Sequence, residues 1–324
     1  MTLTPDPLGL RETLITAAIG QVHEHYETLD STNDRALAWA QEGAPHGALV
    51  SADRQLAGRG RRGHSWCSPA TGDLYFSVVI RPNFFSSFSS FSSFSSSSSS
   101  SLSLSSDQHL ASVPGDRSET KQSRGGTAGF SWGAYGLAVG VALREGLLRW
   151  LGELASCGGI ELKWPNDLLW RGRKLGGILC EGRWQSGTLQ VIVVGVGINV
   201  ARRQFVDPEL AERATSIALA LEDCGEVVEP AALARGPLLA ALLGALEAVT
   251  ADFAAGGFAA IRGRYEPYCQ LLGREVVTEA SARGPGLCGV AVGLDDDGAL
   301  LIAPAEGGDR SRVEAADVWL ASER

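Results

Sequence analysis

The chain has 324 residues, of which 44% are hydrophobic, and it carries a formal charge of −9. That apolar content supports a sizeable core and excludes a wholly disordered protein. The negative charge disfavours binding of the whole surface to nucleic acid or to an anionic membrane, so any anion site must be a local basic segment.

The cysteine spacing and the N-terminal sequence indicate the cellular compartment of the protein. Six cysteines lie far apart without a C-x-x-C pair, which argues against a zinc site and a redox dithiol. We expect them to be reduced core residues. The sequence shows neither a charged leader before an apolar stretch nor a run of 18 apolar residues, so we expect a cytoplasmic protein that does not span a membrane.

The first 82 residues predict alternating strands and helices around one basic loop. Ser31 supplies N-cap chemistry for a helix at Arg35–Glu42, after a lead-in of one helix and a strand at His25–Leu29. Two apolar, β-branched strands follow and enclose a Gly/Arg loop, at Leu49–Ala52 and Leu74–Ile80.

A serine-rich tract interrupts the regular pattern. Residues 86–106 are almost pure serine and the polar character continues to about residue 129. Such a segment buries too little apolar surface to offset its ordering entropy, so we predict a disordered insert over 83–130. The insert is either a flexible or modified segment, or a repeat expansion in a surface loop without a role; the second reading is favoured because loops tolerate insertions.

The remaining sequence predicts an α+β protein with a β-rich tail. Strands and helices are mixed in order rather than strictly alternating, which favours α+β over a doubly wound fold. We expect an amphipathic helix, four strands, a helical region, and then four strands of a separate small domain. The helix is predicted at Tyr135–Leu151, and the four strands after it at Ile160–Lys163, Leu168–Trp170, Gly177–Glu181 and Leu189–Val194. The helical region covers residues 208–268. The strands of the small domain are predicted at Glu275–Glu279, Leu287–Leu294, Ala299–Ala303 and Arg312–Val318.

The loop between Asp53 and Asp73 is the predicted anion site. It holds four arginines and no carboxylate, and glycines alternate with the arginines. Glycine lets the backbone approach a ligand closely, while guanidinium groups grip carboxylate or phosphate oxygens. Trp66 follows and offers a face for adenine. The alternatives are a solvated basic loop and an ordinary half-buried tryptophan.

A second polar segment, Lys163-Trp164-Pro165-Asn166-Asp167, predicts a turn at a strand end. Lys174 comes seven residues after Asp167, on what we expect to be the next strand. Two lysines near one site suit an enzyme that neutralises a carboxylate and a polyphosphate together. The alternative interpretation of the Pro-Asn-Asp segment is a plain hairpin turn without a role in binding. The chain matches neither the Walker pattern nor the three-glycine dinucleotide fingerprint.

These segments together resemble the biotin–protein ligase family. The resemblance rests on Ser31-Thr32-Asn33, on the loop from Gln55 through Gly58-Arg59-Gly60-Arg61-Arg62-Gly63 to Trp66, on Lys163 to Asp167, on Lys174-Leu175-Gly176-Gly177-Ile178-Leu179 with Glu181, and on Gly195 to Asn199. It covers residues 25–82 and 132–324, and the Gly-Arg loop paired with Lys-Trp-Pro-Asn-Asp is highly specific.

The resemblance implies a fold and a domain division. A class II tRNA-synthetase-like catalytic domain with a mixed β-sheet would span residues 1–270. A small SH3-like β-barrel would follow at residues 271–324. Some family members add an N-terminal winged-helix domain and act as repressors, but only 30 residues precede Ser31, so the resemblance indicates the monofunctional form.

The resemblance also implies roles for individual residues. Arg59, Arg61, Lys174 and Lys163 would be catalytic. The biotin site would comprise Ser31, Thr32, Asn33, Gln55, Arg59, Gly60, Arg61, Lys174 and Gly177. The ATP site would comprise Gly58, Arg62, Gly63, Trp66, Asn166, Asp167 and Asn199, with Asp167 as a Mg²⁺ ligand.

The implied activity is ATP-dependent protein biotinylation. Biotin and ATP would form biotinyl-5'-AMP, and biotin would pass to a lysine of a biotin carboxyl carrier protein, without a tightly bound prosthetic group. A homodimer is possible in this family, and neither DNA nor membrane binding is expected. The alternatives are a lipoate or octanoate ligase of the same fold, a biotin-responsive regulator, and a non-catalytic biotin-binding scaffold.

Overall fold

The computed structural model describes residues 8–66, 68, 72–82, 132–152, 159–186, 188–205, 207–279, 286–305, 307–314 and 316–323. The predicted disordered insert over 83–130 lies outside these residues. Four of the six cysteines are described, and all four are free thiols. Cys288 is exposed on a strand, so the prediction that every cysteine lies in the core is wrong there.

A seven-stranded mixed sheet forms the larger part of the structure, in the order β1-β2-β3-β7-β6-β5-β4. The first two strands are parallel and every other neighbouring pair is antiparallel. The strands are β1 (His23–Leu29), β2 (Leu49–Gln55), β3 (Leu74–Ile80), β4 (Ile160–Lys163), β5 (Asp167–Trp170), β6 (Arg173–Gln185) and β7 (Thr188–Ile198). The predicted α+β class with a mixed sheet is confirmed.

Helices pack on both faces of this sheet. One face packs against the helix that follows Ser31, and the other packs against a long helix on which a second long helix lies in turn. The helices are α1 (Leu10–Thr13), α2 (Thr32–Gln41), α3 (Trp132–Leu151), α4 (Pro208–Arg213), α5 (Ile217–Glu222), α6 (Arg235–Gly256) and α7 (Ala259–Tyr265). Ser31 caps α2 by accepting a hydrogen bond from the backbone N–H of Asp34 at 3.4 Å.

Helix α6 belongs to a stretch, Pro230–Gly256, that is long and apolar enough to cross a membrane by length and composition. Its apolar side chains are used inside the protein: residues such as Leu238, Leu242 and Leu246 are buried in the main core. A core helix that packs on a neighbour along its length needs this composition.

The C-terminal residues form a second sheet of five antiparallel strands, in the order β11-β10-β9-β8-β12. The strands are β8 (Glu275–Thr278), β9 (Cys288–Leu294), β10 (Leu300–Ala303), β11 (Ser311–Val313) and β12 (Val318–Leu320). The single strand predicted at Arg312–Val318 is therefore wrong. Its two ends lie at opposite edges of the sheet, and an alternating pattern cannot show that the chain crosses between them.

The two sheets share one hydrophobic core. Val276, Leu300 and Val318 of the small sheet belong to the same buried cluster as the main helices. The indole N–H of Trp164 donates to the carbonyl of Gly298 at 2.9 Å, across 134 residues of sequence. The small sheet is thus fixed to the turn between β4 and β5, and this places its last strand beside the Gly-Arg loop.

Candidate active site

A cleft with a volume of about 170 Å³ opens beside the Gly-Arg loop, and its lining combines residues of the large sheet with Asp317 next to β12. It collects every residue that was predicted for biotin, together with three of those predicted for ATP. The first group is Ser31, Thr32, Asn33, Gln55, Arg59, Gly60, Arg61, Lys174 and Gly177; the second is Trp66, Asn166 and Asp167.

The N-terminus of α2 presents three side chains to the cleft, and protein hydrogen bonds hold them in place. The Gln55 side-chain oxygen accepts from the Thr32 backbone N–H at 2.8 Å and from its hydroxyl at 3.1 Å. Ser77, beneath them on β3, lies 2.8 Å from the Thr32 hydroxyl and 2.6 Å from the Asn33 amide oxygen. Ser31, Thr32 and Asn33 are buried, so this end of the cleft is rigid and polar.

The Gly-Arg loop is a tight hairpin. The Gly58 carbonyl accepts from the Trp66 N–H at 2.8 Å, and the Gly60 N–H donates to the His64 carbonyl at 2.7 Å. A Cβ atom at Gly58 would lie 2.7 Å from the Trp66 carbonyl oxygen, so this crossing admits only glycine. Arg62 takes the left-handed conformation at the turn, with φ of 53°.

The hairpin directs its arginines to different partners. The Arg59 guanidinium lies 2.7 Å from Asp34 Oδ1 and 2.6 Å from Glu181 Oε2. Arg61 donates to the Asn166 side-chain oxygen at 3.2 Å. Desolvation by burial lowers the pKa of Arg61 from its usual value, against the opposing effect of Asp317. A desolvated guanidinium interacts strongly with an anion that enters the cleft.

Trp66 lies flat against two glycines of the central strands. A Cβ at Gly197 would come within 2.6 Å of the indole, and one at Gly177 within 2.9 Å. The indole therefore occupies space that a side chain at Gly177 or Gly197 would fill, so both positions need glycine. The ammonium group of Lys174 lies 5.6 Å from the ring centroid, within the range of a cation–π contact.

Lys174 also pairs with Asp167 across the hairpin of β5 and β6, with 2.7 Å between Nζ and Oδ1. The Asp167 carboxylate is partly exposed, and it is the predicted Mg²⁺ ligand. Within the described ranges, no group of three His, Cys, Asp or Glu side chains could hold a metal. One carboxylate still fits Mg²⁺, because this ion is commonly held by one or two carboxylates and by phosphate oxygens of the substrate.

The other predicted residues do not line the cleft. Gly58 and Gly63 shape the hairpin, and Arg62 donates to Glu279 and Asp317 of the C-terminal region. Lys163 ends β4 opposite Asp167 in the strand register. Asn199 is buried, and its amide nitrogen donates to the Thr215 carbonyl at 2.9 Å, so it joins β7 to the segment before α5.

Several residues of the site escaped the sequence-based prediction. Glu181 and Gly195 lie inside the motifs of the family resemblance, which give them no role, although a carboxylate beside an arginine-rich site is a usable signal. Ser77 stood within an apolar strand, where a lone polar residue facing inward gives a weak signal. No sequence signal marks Asp317, because this residue reaches the cleft only through the fold of the C-terminal sheet.

Several known proteins with related sequences are named as biotin ligases. The family model described as the biotin/lipoate A/B protein ligase family matches residues 26–101 and 139–199. A biotin–[acetyl-CoA-carboxylase] ligase of Paracoccus denitrificans is 28% identical over 90% of this chain and 97% of its own length. One of Mycobacterium tuberculosis is 29% identical over 97% of this chain and 94% of its own.

A solved biotin protein ligase shares the fold. The structure resembles a biotin protein ligase from Aquifex aeolicus, solved in complex with biotin and ATP, with a TM-score of 0.65 and 24% sequence identity. The match covers 93% of this chain and 100% of the Aquifex chain. The bifunctional ligase/repressor BirA of Bacillus subtilis is 28% identical over 96% of this chain and 78% of its own length. This chain belongs to the biotin/lipoate A/B protein ligase family.

Proposed function

We propose that this protein is an ATP-dependent biotin–protein ligase. It joins biotin and ATP into biotinyl-5'-AMP and then transfers biotin to a lysine of a biotin carboxyl carrier protein. One observation carries the proposal: a single cleft combines a rigid polar end at Thr32 and Asn33 with a cationic part at Arg61 and Lys174. A polar ring and an acid group on one ligand fit these two parts.

In the first step, a carboxylate oxygen of biotin attacks the α-phosphorus of ATP and pyrophosphate leaves. The side chains supply position and charge rather than a covalent bond. Lys174 and Arg61 stabilise negative charge as the new carbon–oxygen–phosphorus link forms. Trp66 provides the adenine platform, and Asn166 holds Arg61 over the cleft through their hydrogen bond.

In the second step, the acceptor lysine amine attacks the acyl carbon and AMP leaves. The Gly-Arg hairpin covers the mixed anhydride and keeps water from it. Asp167 would hold Mg²⁺ together with phosphate oxygens, and this ion would neutralise charge on the leaving pyrophosphate. Lys163, which is paired with Asp167 across the β4–β5 hairpin, adds positive charge near this carboxylate.

The partners follow from the same chemistry. The acceptor is the lysine-bearing carrier domain of a biotin-dependent carboxylase, as the names of the relatives imply. We infer a cytoplasmic enzyme that does not bind DNA, and a homodimer that forms through the sheet. The five-stranded C-terminal sheet at 271–324 would be an SH3-like barrel, and residues 1–270 a class II synthetase-like catalytic domain.

Isotopic exchange between pyrophosphate and ATP tests the proposal. Exchange should require biotin, and equal exchange with lipoate or octanoate would instead favour the lipoate ligase alternative. Transfer is then measured with a purified carrier domain and with the same domain lacking its acceptor lysine. Failure of biotin to support any exchange would exclude ligase activity towards it.

A further inference from the structure

The carboxylate of Glu181 contacts two residues of the cleft at once. Its Oε2 accepts a hydrogen bond from the Asn33 amide nitrogen at 2.8 Å and from the Arg59 guanidinium at 2.6 Å. Glu181 lies on β6, and its side chain is 25% exposed. The reaction described above gives this residue no part, although it costs free energy to remove a carboxylate from water.

Glu181 makes the shorter of two hydrogen bonds that set which way the Asn33 side chain points. An ionised carboxylate can only accept hydrogen bonds, so the atom of Asn33 that faces it must be the NH₂ group. That nitrogen also lies 3.3 Å from the Leu179 carbonyl, another acceptor. The Asn33 oxygen consequently faces the opposite way, towards the Ser77 hydroxyl at 2.6 Å.

The Asn33 oxygen also lies against Gly195 of β7, on the side of the sheet that carries the cleft. A Cβ atom at Gly195 would lie 1.9 Å from it, so the oxygen occupies the space over β7 that a side chain there would fill. Asn33 and Gly195 both line the cleft. An amide oxygen accepts two hydrogen bonds, and Ser77 can supply one of them. The second acceptor position remains for a ligand.

We propose that Glu181 is a positioning and specificity-determining residue: it fixes the Asn33 carboxamide so that the cleft offers an acceptor, and it thereby selects a ligand with an N–H donor at this point. The inference rests on the proposed function, since the ureido ring of biotin carries such donors. A fatty or dithiolane acid carries none. The bond from Glu181 to Arg59, which Asp34 reinforces, ties the same carboxylate to the cationic part of the cleft.

Three variants separate this role from a purely structural one. Glu181→Met is similar in length and removes the strong acceptor, while Glu181→Gln keeps an oxygen that can accept from Asn33. Glu42→Gln is the matched control, because Glu42 pairs with Arg35 on the outer side of α2, 3.0 Å apart, and does not line the cleft. Circular dichroism and thermal unfolding check that each variant folds.

The measurement is the equilibrium affinity for biotin and for the two biotins methylated at one ureido nitrogen. In the parent, methylation of the nitrogen that faces Asn33 should weaken binding at least about tenfold. Glu181→Met should weaken biotin binding about 5- to 100-fold and reduce the methylation penalty below about threefold, because the acceptor is no longer fixed. Glu181→Gln should retain most of the penalty, and Glu42→Gln all of it.

The outcomes are distinct. A methylation penalty in Glu181→Met equal to that of the parent overturns the inference, even if its affinity or stability falls. Loss of the penalty in Glu181→Gln overturns it too, and this variant decides the question if Glu181→Met does not fold. A parent that binds no biotin overturns the proposed function itself, and the inference with it.

Discussion

Arg62 of the Gly-Arg hairpin and Asp317 of the C-terminal sheet form an ion pair, with 3.0 Å between their charged atoms across 255 positions of sequence. Arg62 also lies 3.3 Å from Glu279 at the end of β8. The hairpin over the cleft is therefore tied to the C-terminal sheet, and Asp317 itself lines the cleft.

Asp317→Asn should loosen the hairpin modestly. The pair is about one-third exposed on both sides, so solvent screens it, and such pairs are worth at most about 1 kcal/mol. We expect the rate of adenylate release to rise no more than about fivefold, with the melting temperature nearly unchanged. Glu279→Gln, which removes the longer contact, should have a smaller effect. A loss of activity beyond a hundredfold would mean that Asp317 contacts substrate directly.

Lys174→Ala should damage adenylate formation far more than folding. The lysine lies between Asp167 and Trp66 in the cleft, and in the proposed reaction it meets the negative charge that develops in the transition state. Loss of one such contact costs about 2–4 kcal/mol, or about 30- to 1000-fold in rate. Single-turnover formation of the adenylate measures this, and thermal unfolding serves as the control. An unchanged rate in a folded variant would leave Lys174 without a catalytic role.

Arg61→Gly should release the adenylate early. The change removes a half-buried guanidinium and its hydrogen bond to Asn166 and adds backbone freedom, while Lys174 and Arg59 remain to support adenylate formation. Free adenylate should then label lysines of unrelated proteins, and its dissociation should be faster than from the parent. Arg61→Lys, which keeps a charge, should label fewer bystanders. If Arg61→Gly makes no adenylate, Arg61 acts in the chemistry and not in retention.

Gly197→Ala should impair ATP binding selectively. The new methyl group would fall within 2.6 Å of the Trp66 indole and displace the ring. Loss of one base-stacking contact corresponds to about 1–3 kcal/mol, so the ATP affinity should fall about 5- to 150-fold. Gly136→Ala on α3, where a Cβ meets nothing within 4 Å, is the control and should bind ATP normally. Equal ATP affinity in both variants would argue against Trp66 as the adenine platform.

His46 should make folding stability depend on pH. Desolvation by burial lowers the pKa of His46 from 6.5, and its neutral Nδ1 accepts a hydrogen bond from the Arg81 N–H at 3.2 Å. The unfolded chain therefore binds more protons than the folded one just below pH 6.5, so stability falls as the pH drops through that range. His46→Asn, which keeps an acceptor, should show a smaller loss of unfolding free energy between pH 7.5 and 5.5. An identical loss in both proteins would assign the pH dependence to other groups.

The sequence by itself predicted the local elements and most residues of the cleft. Strand Leu74–Ile80 matches its β-branched pattern, and Ser31 begins a helix because its hydroxyl satisfies a free backbone N–H. The Gly-Arg loop was recognisable because clustered arginines without carboxylates are unusual in an acidic chain. These signals depend on residues close together in the sequence.

The tertiary structure alone decided which distant residues meet. Residues that share a motif lie in different places in the structure. Arg62 pairs with the C-terminal region and Asn199 is buried in the core, whereas Arg61 and Lys174 line the cleft. Glu181, Ser77 and Asp317 joined the site through strand pairing and through the packing of one sheet on the other. Pairing register and side-chain direction are set by the whole core, because each strand must bury its apolar face against partners far away in the chain.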